Sequence, residues 1–229
     1  MAAVLRNPGI WIALVCLLPA MRLLALGLTG GLGANPIEFI TRSTGTWTLV
    51  GLLVTLSVTP LRRLTGHAGI VRYRRMLGLF AFFYACLHGL TYFWLDQFFD
   101  VAAIARDILK RPFVTLGFAA LVLLVPLALT STRAMMRRLG RNWQRLHRLI
   151  YPAALLGVAH YLWLVKKDLT DPLIFGAVLA VLLALRLPWV VAGIERARQG
   201  RARDCGTAGA KPRPAGAMQG AAKLPGSAE

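Results

Sequence analysis

The stretch FFYACLHGLTYF, residues 82–93, is a run of aliphatic and aromatic side chains with one ionisable imidazole, His88, near its centre. The run extends from Met76 to Leu95 without a charged residue, and about 20 apolar residues are what an α-helix needs to cross a bilayer. Five further segments read the same way, at 9–28, 46–61, 113–131, 148–165 and 172–192. The chain as a whole is 57% hydrophobic and 16% charged, with a mean hydropathy of +0.59, which excludes an ordinary soluble domain of this size. The expected fold is therefore all-α, an integral, multi-pass membrane bundle of six transmembrane helices. No internal sequence repeat is evident.

The net charge of +18 sits in short runs between the apolar segments, which is the pattern that sets topology and not that of a nucleic-acid-binding face. The 62–75 connector holds Arg62, Arg63, Arg72, Arg74 and Arg75 with no acid. The 133–148 connector holds Arg133, Arg137, Arg138, Arg141, Arg145 and Arg148, again with none. The remaining connectors carry Glu38, Asp96, Asp100, Asp107, Asp168 and Asp171. Arginine-rich loops face the cytoplasm, so both termini are expected there. Arg22 interrupts the first apolar run before any good cleavage site, so that run reads as a retained helix and not a secretory signal. Residues 1–192 form the membrane domain; 193–229, rich in Gly, Ala, Pro and Arg, read as a disordered basic cytoplasmic tail. Cys16, Cys86 and Cys205 show no metal-binding or disulfide spacing. The short loops leave no room for a nicotinamide-binding domain, which would have to be another chain.

Four histidines carry the chemistry. His88 lies 13 residues beyond Arg75 in the third span; His160, in LLGVAHYLWLVKK (155–167), lies 12 beyond Arg148 in the fifth. The two helices run in the same direction, so the imidazoles share one depth and can clamp a planar cofactor between them. Neutral imidazole is a good axial ligand for haem iron, and two of them favour electron transfer by closing the iron to oxygen. The alternative is an interhelical hydrogen bond and nothing more, although an ionisable residue inside a membrane is a functional candidate by default. His147 precedes His160 by 13 residues, roughly 20 Å along a helix but roughly 140° around it, with Pro152 between them to alter that angle. His67, in RRLTGHAGIVRYRR (62–75), reads as a solvated loop residue. Arg22 and Arg186 are cations within apolar spans that either snorkel or pair with haem propionates. Tyr84, Tyr92 and Tyr161 flank the histidine helices as core or pocket residues.

The stretches RYRRMLGLFAFFYACLHGLTYFWLD (72–96) and GRNWQRLHRLIYPAALLGVAHYLW (140–163) resemble the ferric-reductase-like transmembrane superfamily, and within it the haem-binding membrane subunits of bacterial periplasmic methionine-sulfoxide reductase systems. The resemblance covers nearly everything except the tail. It implies haem b, one or two, with His88, His147 and His160 on the metal-ligand positions. It also implies electrons drawn from the quinone pool and passed to a separate periplasmic molybdenum-containing reductase subunit, so that this chain does no bond chemistry on the final substrate. FMN is implied by the resemblance alone; Arg141, Arg145 and Arg148 beside His147 could hold its phosphate. Relatives with two haems carry two histidines in the third span, where this chain has Arg74 and Arg75 on the cytoplasmic side. The alternatives are a ferric or cupric metalloreductase, which normally has a cytoplasmic flavin and nicotinamide domain, and a non-redox transporter, which would purify colourless.

Overall fold

The computed structural model describes residues 7–165 and 167–196, and every regular element among them is helical. In chain order these are α1 (Pro8–Leu28), α2 (Pro36–Thr65), α3 (Arg74–Leu90), α4 (Val101–Lys110), α5 (Pro112–Leu129), α6 (Arg133–Leu139), α7 (Arg141–Leu146), α8 (Ile150–Leu164) and α9 (Thr170–Ala184). A further helix, α10, spans Pro188–Arg196. A 3₁₀ turn (Ala68–Tyr73) leads into α3, and a π-helical turn (Thr91–Asp96) continues it. Residues 7–187 form one compact unit; α10 belongs to the unit that follows. Most of the expected tail, residues 197–229, lies outside the described residues.

All six apolar segments are helical, but with different bounds. By length and composition four helices can cross a membrane, α1, α2, α3 with its flanking turns, and α5; α9 and α10 make a fifth if counted together. The second segment begins ten residues earlier than expected, at Pro36, because its polar residues satisfy themselves inside the helix: Thr41, Thr44, Thr48 and Thr55 each donate to the carbonyl four residues back. Asn35 caps it by accepting from the Glu38 N–H, and Gly66, at φ 79°, ends it in the left-handed region that glycine tolerates. The 96–112 connector contains the amphipathic α4, capped by Asp100. Its Asp107 accepts from the Tyr92 hydroxyl at 3.2 Å, tying α4 to the end of α3. The sixth segment is interrupted at 185–187, where Pro188 has no N–H to give to the Ala184 carbonyl.

The core lies among α2, α3, α5, α8 and α9, around Leu52, Leu56, Ala81, Ala153 and Leu179. A Cβ on Gly51 would stand 2.9 Å from that of Ala81, so α2 and α3 cross at a distance only glycine allows. Outside this core the surface is largely hydrocarbon, with Trp11, Val15, Leu18, Leu155, Ile174 and Val181 all exposed. Such a surface is stable against lipid and not against water.

Two prolines inside α1 and α2 show how the bundle mends its own helices. Beside Pro19, the Tyr84 hydroxyl inserts into the α1 ladder: it accepts from the Ala20 N–H at 3.1 Å and donates to the Cys16 carbonyl at 2.7 Å. In α2, Pro60 cannot donate to the carbonyl of Leu56 four residues back. One terminal nitrogen of the Arg186 guanidinium donates to that carbonyl instead, and the other terminal nitrogen donates to the Tyr151 hydroxyl at 2.7 Å. Losing a partner for a buried carbonyl costs about 1–3 kcal/mol. Arg186→Met should lower stability by about that much, and by clearly less in a Pro60→Ala background, where residue 60 supplies its own N–H. Unfolding curves in detergent measure this; equal losses in both backgrounds would refute the repair role.

Candidate functional site

α3 and α8 bring His88 and His160 together. Their ring centroids are 6.1 Å apart and their planes cross at 74°. Each ring is fixed from behind by a neighbouring helix. The Nδ1 of His88 lies 3.0 Å from the carbonyl oxygen of Thr41 in α2, and the Nδ1 of His160 lies 2.6 Å from that of Phe113 in α5. A carbonyl only accepts, so each Nδ1 carries a proton, and in the neutral ring each Nε2 keeps its lone pair. This is the arrangement that orients imidazole ligands in metal sites.

Two glycines let the helices come this close. A Cβ on Gly45 would sit 3.1 Å from the Cε1 of His88, and one on Gly117 only 2.9 Å from the Nδ1 of His160. The imidazoles therefore rest on bare backbone.

The separation suits a metal between the rings. Two metal–imidazole bonds of about 2 Å, with about 1 Å from each nitrogen to its ring centre, span about 6 Å. Among the described residues no three His, Cys, Asp or Glu side chains converge. A metal held there would take only two ligands from these imidazoles, and its remaining positions would have to be filled by a macrocycle, as in haem.

The other sequence-predicted residues stand elsewhere. His147 lies in the turn before α8, stacked on Trp143 with centroids 3.9 Å apart. Its Nδ1 donates to the Trp143 carbonyl at 3.1 Å, and its Nε2 is buried without a partner. Burial, with the nearby charge of Arg74, holds the His147 imidazole below its ordinary pKa. Arg186 is engaged by the Leu56 carbonyl and Tyr151 as described, Arg22 is exposed on α1, and His67 is exposed ahead of the 3₁₀ turn. Tyr84 serves α1, and Tyr92 serves α4.

Sequence reading missed Thr41, Gly45, Phe113 and Gly117. Two of these act through main-chain oxygens, which leave no trace in residue identity.

A helical bundle whose imidazoles pair across its centre places the chain in a recognisable class: residues 41–158 match the family described as the ferric reductase like transmembrane component. Among its relatives are proteins named "Protein-methionine-sulfoxide reductase heme-binding subunit MsrQ". The one from Herminiimonas arsenicoxydans is 57% identical over 77% of this chain and 82% of its own length. That from Ralstonia nicotianae is 56% identical over 86% and 90%, and that from Azospira oryzae 59% identical over 76% of each. The chain belongs to the MsrQ family within the ferric-reductase-like transmembrane proteins. No solved structure matches it.

The carbonyl tethers define a tautomer that can be measured. In ¹⁵N-histidine-labelled, cofactor-free protein, His88 and His160 should both show the Nδ1–H form; an Nε2–H signal from either would contradict the geometry.

Proposed function

We propose that the chain is a haem b electron-transfer subunit of the bacterial inner membrane. It takes electrons from the quinone pool and passes them to a periplasmic molybdenum-containing subunit that reduces oxidised methionines in periplasmic proteins. The observation that carries the reading is the His88–His160 pair, 6.1 Å apart with both Nδ1 atoms tied to carbonyls. The relatives named as heme-binding subunits of methionine-sulfoxide reductase support it. When bound, haem would supply a one-electron carrier held by two nitrogens, with no open position for oxygen.

The chain's own part is to hold two neutral imidazoles with their Nε2 atoms inward, to shield the space between them with apolar helices, and to keep both rings from turning. In the proposed topology the six apolar segments all span the bilayer with both termini and the tail in the cytoplasm. The arginine-rich turns around 62–75 and 133–148 then face the cytoplasm, and the His88–His160 pair stands toward the periplasm. That placement suits delivery to a periplasmic partner. FMN is included on family resemblance, with Arg141, Arg145 and Arg148 as its phosphate-binding candidates.

Detergent-purified protein should show a Soret band and sharp reduced α and β bands. His88→Ala or His160→Ala should abolish them and His67→Ala should not. Full haem content after both core substitutions would overturn the assignment. A quinol should reduce the haem in membranes, and adding the oxidised periplasmic partner should reoxidise it. Failure of either half-reaction would break the proposed electron path.

A further inference from the structure

The two sides of the imidazole pair are built alike. Residue 41 corresponds to 113, 45 to 117 and 88 to 160, an offset of 72 in each case. On both sides the tethering carbonyl lies 47 residues before the histidine it holds. The correspondence continues into the core, where Leu52 matches Leu124 and the fully buried Ala81 matches Ala153. α2 with α3, and α5 with α8, are thus two hairpins on one plan, meeting at His88 and His160. The match ends at the other end of the histidine helices, where the counterpart of His147 is Arg75.

We propose that this duplication sets the orientation of the two ligands. The Thr41 carbonyl with Gly45, and the Phe113 carbonyl with Gly117, are paired positioning elements that hold the imidazole planes steeply crossed. The duplication completes one such site and not a second. The proposal rests on the haem reading above and adds to it the cause of the ring geometry and the number of bis-imidazole centres.

The physical argument is rotational. A ring bonded through Nε2 alone can spin about the metal–nitrogen axis. A ring also tied through Nδ1 to a main-chain oxygen cannot, and helix backbone is the least movable acceptor available. The glycines close the remaining freedom, because the 2.9 Å and 3.1 Å clearances leave no room for even a methyl group. With the planes at 74°, the two axial ligands do not reinforce one orbital direction. Low-spin ferric haem in that state gives a strongly anisotropic paramagnetic resonance signal, with its largest g value well above that of parallel rings and so at lower field. A role in packing alone would not move that signal.

The test is electron paramagnetic resonance of the oxidised, full-length protein in detergent, with haem content measured on each sample. The wild type should show one large-g, strongly anisotropic low-spin signal per chain. Gly117→Ala should shift it toward smaller anisotropy, while Gly78→Ala, whose Cβ meets the Thr55 methyl at a comfortable 3.6 Å, should leave it in place. If Gly117→Ala fails to fold, His160→Gly supplemented with 1-methylimidazole, which has no N–H to give to the Phe113 carbonyl, rebuilds the ligand without that tether, and should give low-spin haem with the shifted signal. An unshifted signal in the supplemented protein, an ordinary parallel-ring signal in the wild type, or two bis-imidazole signals per chain would overturn the proposal with haem ligation intact. No low-spin haem in the wild type would instead sink the haem reading itself.

Discussion

The structure depends on two hydrogen bonds between imidazole and backbone, His88 to Thr41 and His160 to Phe113. A neutral imidazole inside an apolar bundle must place its one N–H somewhere, because an unpaired donor there costs several kcal/mol with no water to take its place. Giving that proton to a helix carbonyl settles the tautomer, leaves the Nε2 lone pair free and ties each histidine helix to its neighbour. Gly45 and Gly117 follow from the same need, since the carbonyl is reachable only when the helix presents no side chain at the contact.

The same economy governs the rest of the bundle. A helix in lipid must satisfy its backbone internally, so a proline is tolerated only where something else completes the ladder. Arg186 does this four residues before Pro60, and Tyr84 bridges the opened rung next to Pro19, between the Ala20 N–H and the Cys16 carbonyl. Both side chains therefore act as tertiary ties, α3 to α1 and the end of α9 to α2. The threonines of α2 use their own helix in the same way, which is how a polar sequence remains helical to Pro36.

Much of this was legible in the sequence. The apolar runs marked the helices, and the distances of His88 and His160 from the arginines at their helix starts were enough to pair them. The early start of α2 was hidden because TRST reads as loop chemistry until its hydroxyls are seen to bond backward. The helix α4 was hidden because its short amphipathic pattern sits among charges. Arg186 looked like an isolated cation, although Pro60 already marked Leu56 as a carbonyl in need of a donor; the pairing crosses 130 residues and no local pattern announces it. The two-hairpin plan escaped for a different reason. Its matched residues, such as Gly45 and Gly117 or Ala81 and Ala153, are identical but scattered among unrelated ones, and Thr41 and Phe113 share only the use of a main-chain oxygen.

The central claim is that His88 and His160 are the two axial ligands of one haem. Near-infrared magnetic circular dichroism of the oxidised protein tests it most directly, because the ligand-to-metal charge-transfer band identifies the axial pair. The account predicts a single bis-imidazole band with the intensity of one haem per chain, lost when either histidine is replaced by alanine. A band from another ligand pair, or a bis-imidazole band that survives loss of His160, would contradict it.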